Sequence, residues 1–147
     1  MADITISRMT TEETESAAVL EKQCFSSPWS KQALDEACTH EAGVFFVASD
    51  GGFCGHSGMV TVLDQGQVCN IAVVPEKRGM GIGKMLTQAL IDHGVAHGLS
   101  CIMLEVRASN AVAISMYESL GFVRVGVSRN HYSKPREDAY LYNYYIN

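Results

Sequence analysis

The chain opens with Ile4 and Ile6 alternating with polar neighbours, then shifts to apolar positions three to four apart at Ala17, Leu20 and Cys24. The first pattern predicts a short strand, the second one face of a helix. Thr10 or Thr11, followed by Glu12 and Glu13, supplies the helix start. Phe25 to Ser30 breaks that helix around Pro28, and Ser30 caps a second one with Ala33, Leu34 and Ala37 along its inner side. Gly43 to Ser49 is a β-branched and aromatic run, Asp50-Gly51-Gly52 a turn, and Phe53 to Leu63 the strand that completes a hairpin. A turn at Asp64-Gln65-Gly66 leads into a third apolar strand, Val68 to Val74.

Past Pro75 the pattern becomes helical. Ile82, Met85, Leu86, Ala89 and Leu90 follow the spacing of a buried helix face, and Gly98 ends it. Cys101 to Arg107 alternates as a strand, with Ile102, Leu104 and Val106 on one face and Met103, Glu105 and Arg107 on the other. Ser109 or Asn110 caps a short helix with Ala113, Met116, Tyr117 and Leu120 inward, and Gly121 is placed to close it. Phe122 to Val127 is a strand, Ser128 to Asp138 a polar loop, and Ala139 to Ile146 a last strand. The order β-α-α-β-β-β-α-β-α-β-β predicts an α/β (α+β) fold with a mixed, mostly antiparallel sheet of seven strands and four flanking helices. One strand-helix-strand crossover sits in its middle. No linker divides the chain, so residues 1–147 are expected to form a single domain.

Composition narrows the function classes. With 47% hydrophobic and 18% charged residues, the chain has the balance of an ordinary globular protein. Its net charge of −5 disfavours direct binding to nucleic acid phosphates. No apolar run is long enough to span a bilayer, and Met-Ala-Asp-Ile lacks the marks of a signal peptide, so a cytoplasmic protein without membrane contact is expected. The five cysteines are widely spaced without a C-x-x-C pair, which argues for reduced thiols rather than disulfides or zinc. His93 and His97 share a helix face but lack a third metal ligand, and no metal is expected.

Candidate chemistry centres on Arg78 to Lys84. Gly79, Gly81 and Gly83 let the backbone approach a bound group, and the following helix start offers unpaired N–H groups to an anion. The spacing is neither a Walker loop nor the dinucleotide fingerprint. Across the crossover stand Glu105, Asn110 and Tyr117. Each has a structural alternative: Glu105 paired with Arg107 or Arg78, Asn110 a helix cap, Tyr117 a core aromatic. Trp29, the only tryptophan, suits a packing anchor or a substrate contact equally. Cys69 and Cys101 lack a partnered histidine in a recognisable nucleophile motif.

Arg78-Gly79-Met80-Gly81-Ile82-Gly83 resembles the Q/R-x-x-G-x-G/A pyrophosphate loop of the Gcn5-related N-acetyltransferases, and Asn70-Ile71-Ala72-Val73 is similar to that family's coenzyme-side strand. Leu104 to Asn110, Tyr117 to Phe122, Pro28-Trp29-Ser30 and Arg136 to Ala139 resemble the branch that acetylates the amino-terminal alanine of a small-subunit ribosomal protein. The tyrosine-rich ending Tyr140 to Tyr145 and the segment Cys24 to Ser27 depart from that pattern, both on the acceptor side.

The resemblance implies acetyl-CoA as cosubstrate, a ribosomal-protein N-terminus as acceptor and direct transfer to the amine. It implies that main-chain groups of Ile71, Ala72 and Val73 bind the pantetheine arm and acetyl carbonyl. Gly79, Met80, Gly81, Ile82, Gly83 and Lys84 would wrap the pyrophosphate, and Asn110 would hydrogen-bond the pantetheine. Glu105 would be general base and Tyr117 general acid, with Trp29 and Tyr132 lining the peptide groove. The chemistry is consistent: an α-amine with a pKa of about 8 must lose a proton, and a thiolate near about 8.5 can take one from a phenol near about 10. Acetylation of lysine side chains or of a small-molecule amine is the alternative enzyme reading. A non-catalytic acetyl-CoA-binding module is the alternative class.

Overall fold

A computed structural model describes residues 3–146; Met1 and Ala2, part of the segment read for a signal peptide, lie outside the described residues, as does Asn147. Seven strands form one sheet in the order β1-β2-β3-β4-β5-β7-β6. In chain order they are β1 (Thr5–Arg8), β2 (Gly43–Ser49), β3 (Phe53–Val62), β4 (Gln65–Val73), β5 (Cys101–Arg107), β6 (Val123–Ser133) and β7 (Arg136–Tyr145). The helices are α1 (Thr14–Cys24), α2 (Lys31–Thr39), α3 (Ile82–Ala96) and α4 (Ala111–Leu120), with a 3-10 turn at Pro75–Lys77. Only β4 and β5 pair in parallel, joined by the α3 crossover. The fold class and element order match the expectation.

The two sheet faces bury different sets of side chains. On one, Ala17 and Ala18 of α1 and Leu34 of α2 pack on Phe45 and Val47. On the other, α3 lays Leu90 and Ile91 against Ile102, Leu104 and Val106, while α4 adds Tyr117. Ile82 and Leu86 sit on Ala48 and Cys54 nearby. Gly58 is required where it stands, because a Cβ there would lie 2.1 Å from the Phe45 ring. The strand alternation read for β5 is observed: Ile102, Leu104 and Val106 are buried.

Ser30 caps α2 as expected, its hydroxyl accepting from the Ala33 N–H at 3.1 Å. The α1 start differs. Thr10 and Glu13 close a turn on each other, with both the Thr10 N–H and hydroxyl donating to the Glu13 carboxylate at 2.9 Å. The regular helix then begins only at Thr14. Met85 was expected on the buried face of α3 but is exposed, because the helix turns Thr87, Ile91 and Gly94 inward. That helix ends at Ala96, two residues before Gly98, which takes a left-handed φ of +77°.

Two boundaries are corrected. The β3–β4 turn lies at Leu63 and Asp64, with Leu63 at φ +56°, so Gln65 and Gly66 already belong to β4. The polar stretch Ser128 to Asp138 is not a loop: β6 runs to Ser133 and β7 starts at Arg136, pairing Tyr132 with Glu137 and Ser133 with Arg136. Its side chains read as a loop because β6 is an edge strand, exposed along most of its length, so neither face shows apolar alternation.

Ile102 is fully buried where α3 and β5 meet, so Ile102→Ala should lower the unfolding free energy by about 2–5 kcal/mol, measured by urea denaturation.

Candidate active site

The parallel ladder between β4 and β5 is short. Gln65 pairs with Cys101, Gly66 with Ile102 and Gln67 with Met103, and there the pairing stops. β5 stays straight because β7 pairs with it over its whole length, from Cys101 to Arg107. β4 bends away because its register against β3 jumps: Val68 opposes Met59 and Asn70 opposes Gly58, leaving Cys69 as the extra residue of a bulge. A wedge therefore opens in the middle of the sheet. The Val74 N–H turns to the Cys54 carbonyl on β3, so strand alternation sends the main-chain groups of Ala72 to β3 and those of Ile71 and Val73 to the open side.

The glycine turn closes one end of the wedge. Gly79 and Gly81 hold φ of +81° and +80°, a region in which a side chain is strained, and open space lies in front of both. Gly81 is the N-cap of α3 and provides no side-chain cap, so the first N–H groups of the helix, from Ile82 to Lys84, point out unpaired. Arg78 folds back instead of reaching over the turn. Its Nε donates to the Val73 carbonyl at 3.0 Å, and its guanidinium also meets the Cys24 sulfur. Met80 and Lys84 are exposed. Two left-handed glycines before an uncapped helix suit a pyrophosphate, and the unpaired edge of β4 suits an amide-bearing arm. The residues present therefore fit coenzyme A.

Glu105 points from β5 to the face opposite the α3–α4 core. Its partner is neither Arg107 nor Arg78: Oε2 lies 2.6 Å from Nε2 of His131. Arg107 is instead a hub. It pairs with Glu137 at 3.3 Å and donates to the carbonyls of Lys134 and Pro135. It also reaches Ser26 in the α1–α2 connection and lies 4.1 Å over the Tyr132 ring. Tyr132 is thus a strand residue with its ring beneath Arg107. Burial, then the Glu105 charge, raises its phenol, while Arg107 opposes the shift.

Tyr117 lies on the α4 side, edge-on to Phe122 at 5.7 Å. Burial pushes its phenol well above the usual range, with Tyr132 close enough to add to the shift. Among the described residues its hydroxyl has no hydrogen-bond partner. Asn110 is the cap of α4, its side-chain oxygen accepting from Ala113 at 3.2 Å, which leaves the amide nitrogen free to donate. His93 and His97 stack at 3.9 Å, and among the described residues no cluster could hold a metal ion.

Trp29 belongs to a separate anchoring point. Glu21 of α1 is fully buried, and its Oε1 accepts from the Trp29 N–H at 2.9 Å and from the Asn70 amide at 2.8 Å. Its Oε2 faces Nε2 of buried His56 at 3.2 Å. The Trp29 ring meets Phe45 at 5.8 Å and packs on the α1–α2 core. That arrangement favours the packing anchor over a substrate contact. It also ties the α1–α2 connection to Asn70, beside the β4 bulge.

Sequence reasoning gave Arg107 only as a partner for Glu105 and singled out neither Glu21 nor His131. Only Asn130-His131, an αL-tolerant residue before an imidazole in a polar stretch, could have signalled the last of them.

Residues 14–122 match the sequence model of the Acetyltransferase (GNAT) family. The chain is 35% identical over 139 residues to the ribosomal protein bS18-alanine N-acetyltransferase of Escherichia coli K12, covering 93% of this chain and 94% of that one. The crystal structure of the Escherichia coli ribosomal-protein-S18-alanine N-acetyltransferase superposes with a TM-score of 0.89 at 34% identity, covering 99% of this chain and 95% of that one. Arabidopsis thaliana NAA60 bound to a bisubstrate analogue shares the fold, with a TM-score of 0.89 at 19% identity and 99% of each chain covered.

Removing the Glu21 carboxylate leaves the Trp29 N–H and the Asn70 amide without their acceptor. Glu21→Ala should destabilise the protein by about 1–3 kcal/mol and shift the emission of its single tryptophan to the red. Thermal unfolding and Trp29 fluorescence on the same sample check both.

Proposed function

This chain belongs to the acetyltransferase (GNAT) family, and we propose that it acetylates the α-amino group of an alanine at the amino terminus of a small-subunit ribosomal protein. The observation that carries this reading is the similarity to the Escherichia coli alanine acetyltransferase. At 93% of the chain it takes in the acceptor-side elements as well as the glycine turn. In this reading all 147 residues serve one acetyltransferase domain.

Acetyl-CoA is the donor, and its thioester supplies an acyl group activated toward amines. Gly79, Met80, Gly81, Ile82, Gly83 and Lys84 hold the pyrophosphate through main-chain N–H groups and the helix dipole. The open-side main chain of Ile71 and Val73, with Ala72 between them, lines the pantetheine arm, and the free amide of Asn110 donates to it. An N–H from the same strand edge faces the oxygen on which negative charge develops.

Glu105 takes the proton that makes the acceptor ammonium non-nucleophilic. An α-ammonium titrates near about 8 and a lysine near about 10.4, so the same base deprotonates the former at a cost lower by about 3 kcal/mol. That difference favours N-termini over lysine side chains. Tyr117 supplies the proton for the departing sulfur. Its burial raises the phenol, but a thiol in the same apolar surroundings is raised as well, since both ionise to anions. The difference between the two values governs the transfer, and the raised phenol stays protonated until it is needed.

A panel of peptides differing in their first two residues, incubated with acetyl-CoA and mapped by mass spectrometry, should show acetylation of the α-amine of alanine-initiated peptides. Acetate found on lysines alone would overturn the acceptor assignment. Glu105→Gln should lower kcat by about 10²–10⁴-fold and Tyr117→Phe by at least about tenfold, both with coenzyme affinity retained by calorimetry. Gly81→Val should do the reverse and weaken coenzyme binding, since a β-branched residue is strained at φ +80° and fills the open cradle.

A further inference from the structure

β5 and β6 are not neighbours: β7 lies between them in the sheet. His131 of β6 nevertheless reaches Glu105 of β5 because the β6 ladder is interrupted. Between the pairs Ser128–Ala139 and Tyr132–Glu137, four steps along β6 oppose two along β7. The two extra residues lie within Arg129-Asn130-His131, with Asn130 in the left-handed region at φ +53° and its N–H donating to Asp138 at 2.8 Å. Bulges of this kind re-aim side chains. This one carries the imidazole across β7 and sets its Nε2 at 2.6 Å from Glu105 Oε2.

The other ring nitrogen is also engaged. Nδ1 of His131 lies 3.2 Å from the Ser128 hydroxyl. A carboxylate can only accept, so Nε2 must carry a hydrogen toward it. In the neutral ring Nδ1 is then the acceptor, and the Ser128 hydroxyl donates to it. Ser128 thereby fixes the tautomer, and with it the nitrogen that donates to Glu105. The ring is further held edge-on against Tyr132 at 4.9 Å.

We propose that His131 is a positioning residue for Glu105: neutral, it orients the carboxylate through Nε2–H, and protonated, it suppresses the carboxylate's capacity to take a proton. The proposal rests on Glu105 being the base. Ser128 accommodates both states, donating to Nδ1 in one and accepting from it in the other, so protonation needs no movement of the bulge. A full positive charge 2.6 Å from the carboxylate then stabilises its ionised form. The other ionisable groups around the pair are Arg107 from β5, Tyr132 from β6, and Glu137 and Asp138 from β7. Arg107 is committed to Glu137 and two carbonyls, and Asp138 to the Asn130 N–H. From the helical side, the α1–α2 connection meets this group through Ser26 on Arg107, and α4 through Tyr117 near Tyr132.

An imidazole and a carboxylate in contact take up two protons in succession as the pH falls. The acid side of the log kcat profile should therefore carry two ionisations, the imidazole's and that of Glu105 itself, and steepen toward a slope of about 2. His131→Gln keeps an N–H donor for Glu105 but cannot titrate, so its acid limb should carry one ionisation, with a slope of about 1. His131→Phe keeps neither property and should lower kcat about tenfold or more at pH 8, a larger loss than in His131→Gln, with coenzyme affinity unchanged. A slope in His131→Gln identical to the wild type, or full turnover in His131→Phe, overturns the proposal. Glu105→Gln separates the two levels. If it retains wild-type turnover, the base assignment has failed; if it is impaired while the His131 variants behave as wild type, only the role of His131 has failed.

Discussion

The site depends on hydrogen bonds that β4 and β5 do not make. Two adjacent strands in the middle of a sheet normally satisfy each other's main chain, and a buried group left without a partner costs about 1–3 kcal/mol. Here the ladder ends after Gln67 and Met103, and the wedge beyond it must be filled by water or by a ligand. The opening is held by structure on both sides. The Cys69 bulge bends β4 out, the full pairing with β7 holds β5 in place, and α3 and α4 pack beneath with Leu90, Ile91 and Tyr117. The same core that stabilises the fold therefore fixes the width of the site.

Around the wedge, permanent and titratable charges have different partners. Arg107, which stays charged at any relevant pH, is matched to Glu137 and to main-chain carbonyls. Glu105 is matched to an imidazole. Had the two carboxylates exchanged partners, Glu105 would face a fixed cation and remain a poor proton acceptor throughout. Arg107 also joins the α1–α2 connection to the β6–β7 hairpin, so the two segments share one guanidinium. Tyr117 is set apart from this charged layer and stays neutral within the apolar one.

Much of this was legible from local patterns. Ser30 as a cap, the alternation of Ile102, Leu104 and Val106, the glycines before α3 and the isolated Glu105 all announce themselves within a few residues. What escaped depends on contacts far apart in the chain. Glu21 looks like one more surface carboxylate on an amphipathic helix, and only Asn70, forty-nine positions away, together with the Trp29 N–H, satisfies its Oε1 in the buried position it takes. His131 reaches Glu105 through a bulge, and the bulge exists only because β6 pairs with β7. The edge strand itself has the sequence of a loop because exposure on both faces removes the alternation by which strands are recognised. Asn110 shows the opposite case: the local reading of a helix cap is correct, and it leaves one amide nitrogen free for a second partner.

A gap in the middle of a sheet creates two additional edges, and an exposed edge invites any extended segment to add itself as a strand. Outer edges are commonly protected by charge, bulges or brevity. This inner pair carries the same devices: a bulge at Cys69 on one side and the Glu105–His131 pair on the other. Arg78 completes the set. By donating to the Val73 carbonyl it removes an acceptor at the wide end of the wedge, where an intruding strand would begin to pair. An arginine at the head of the glycine turn thus leaves one acceptor fewer on the inner edge of β4 for an added strand to use.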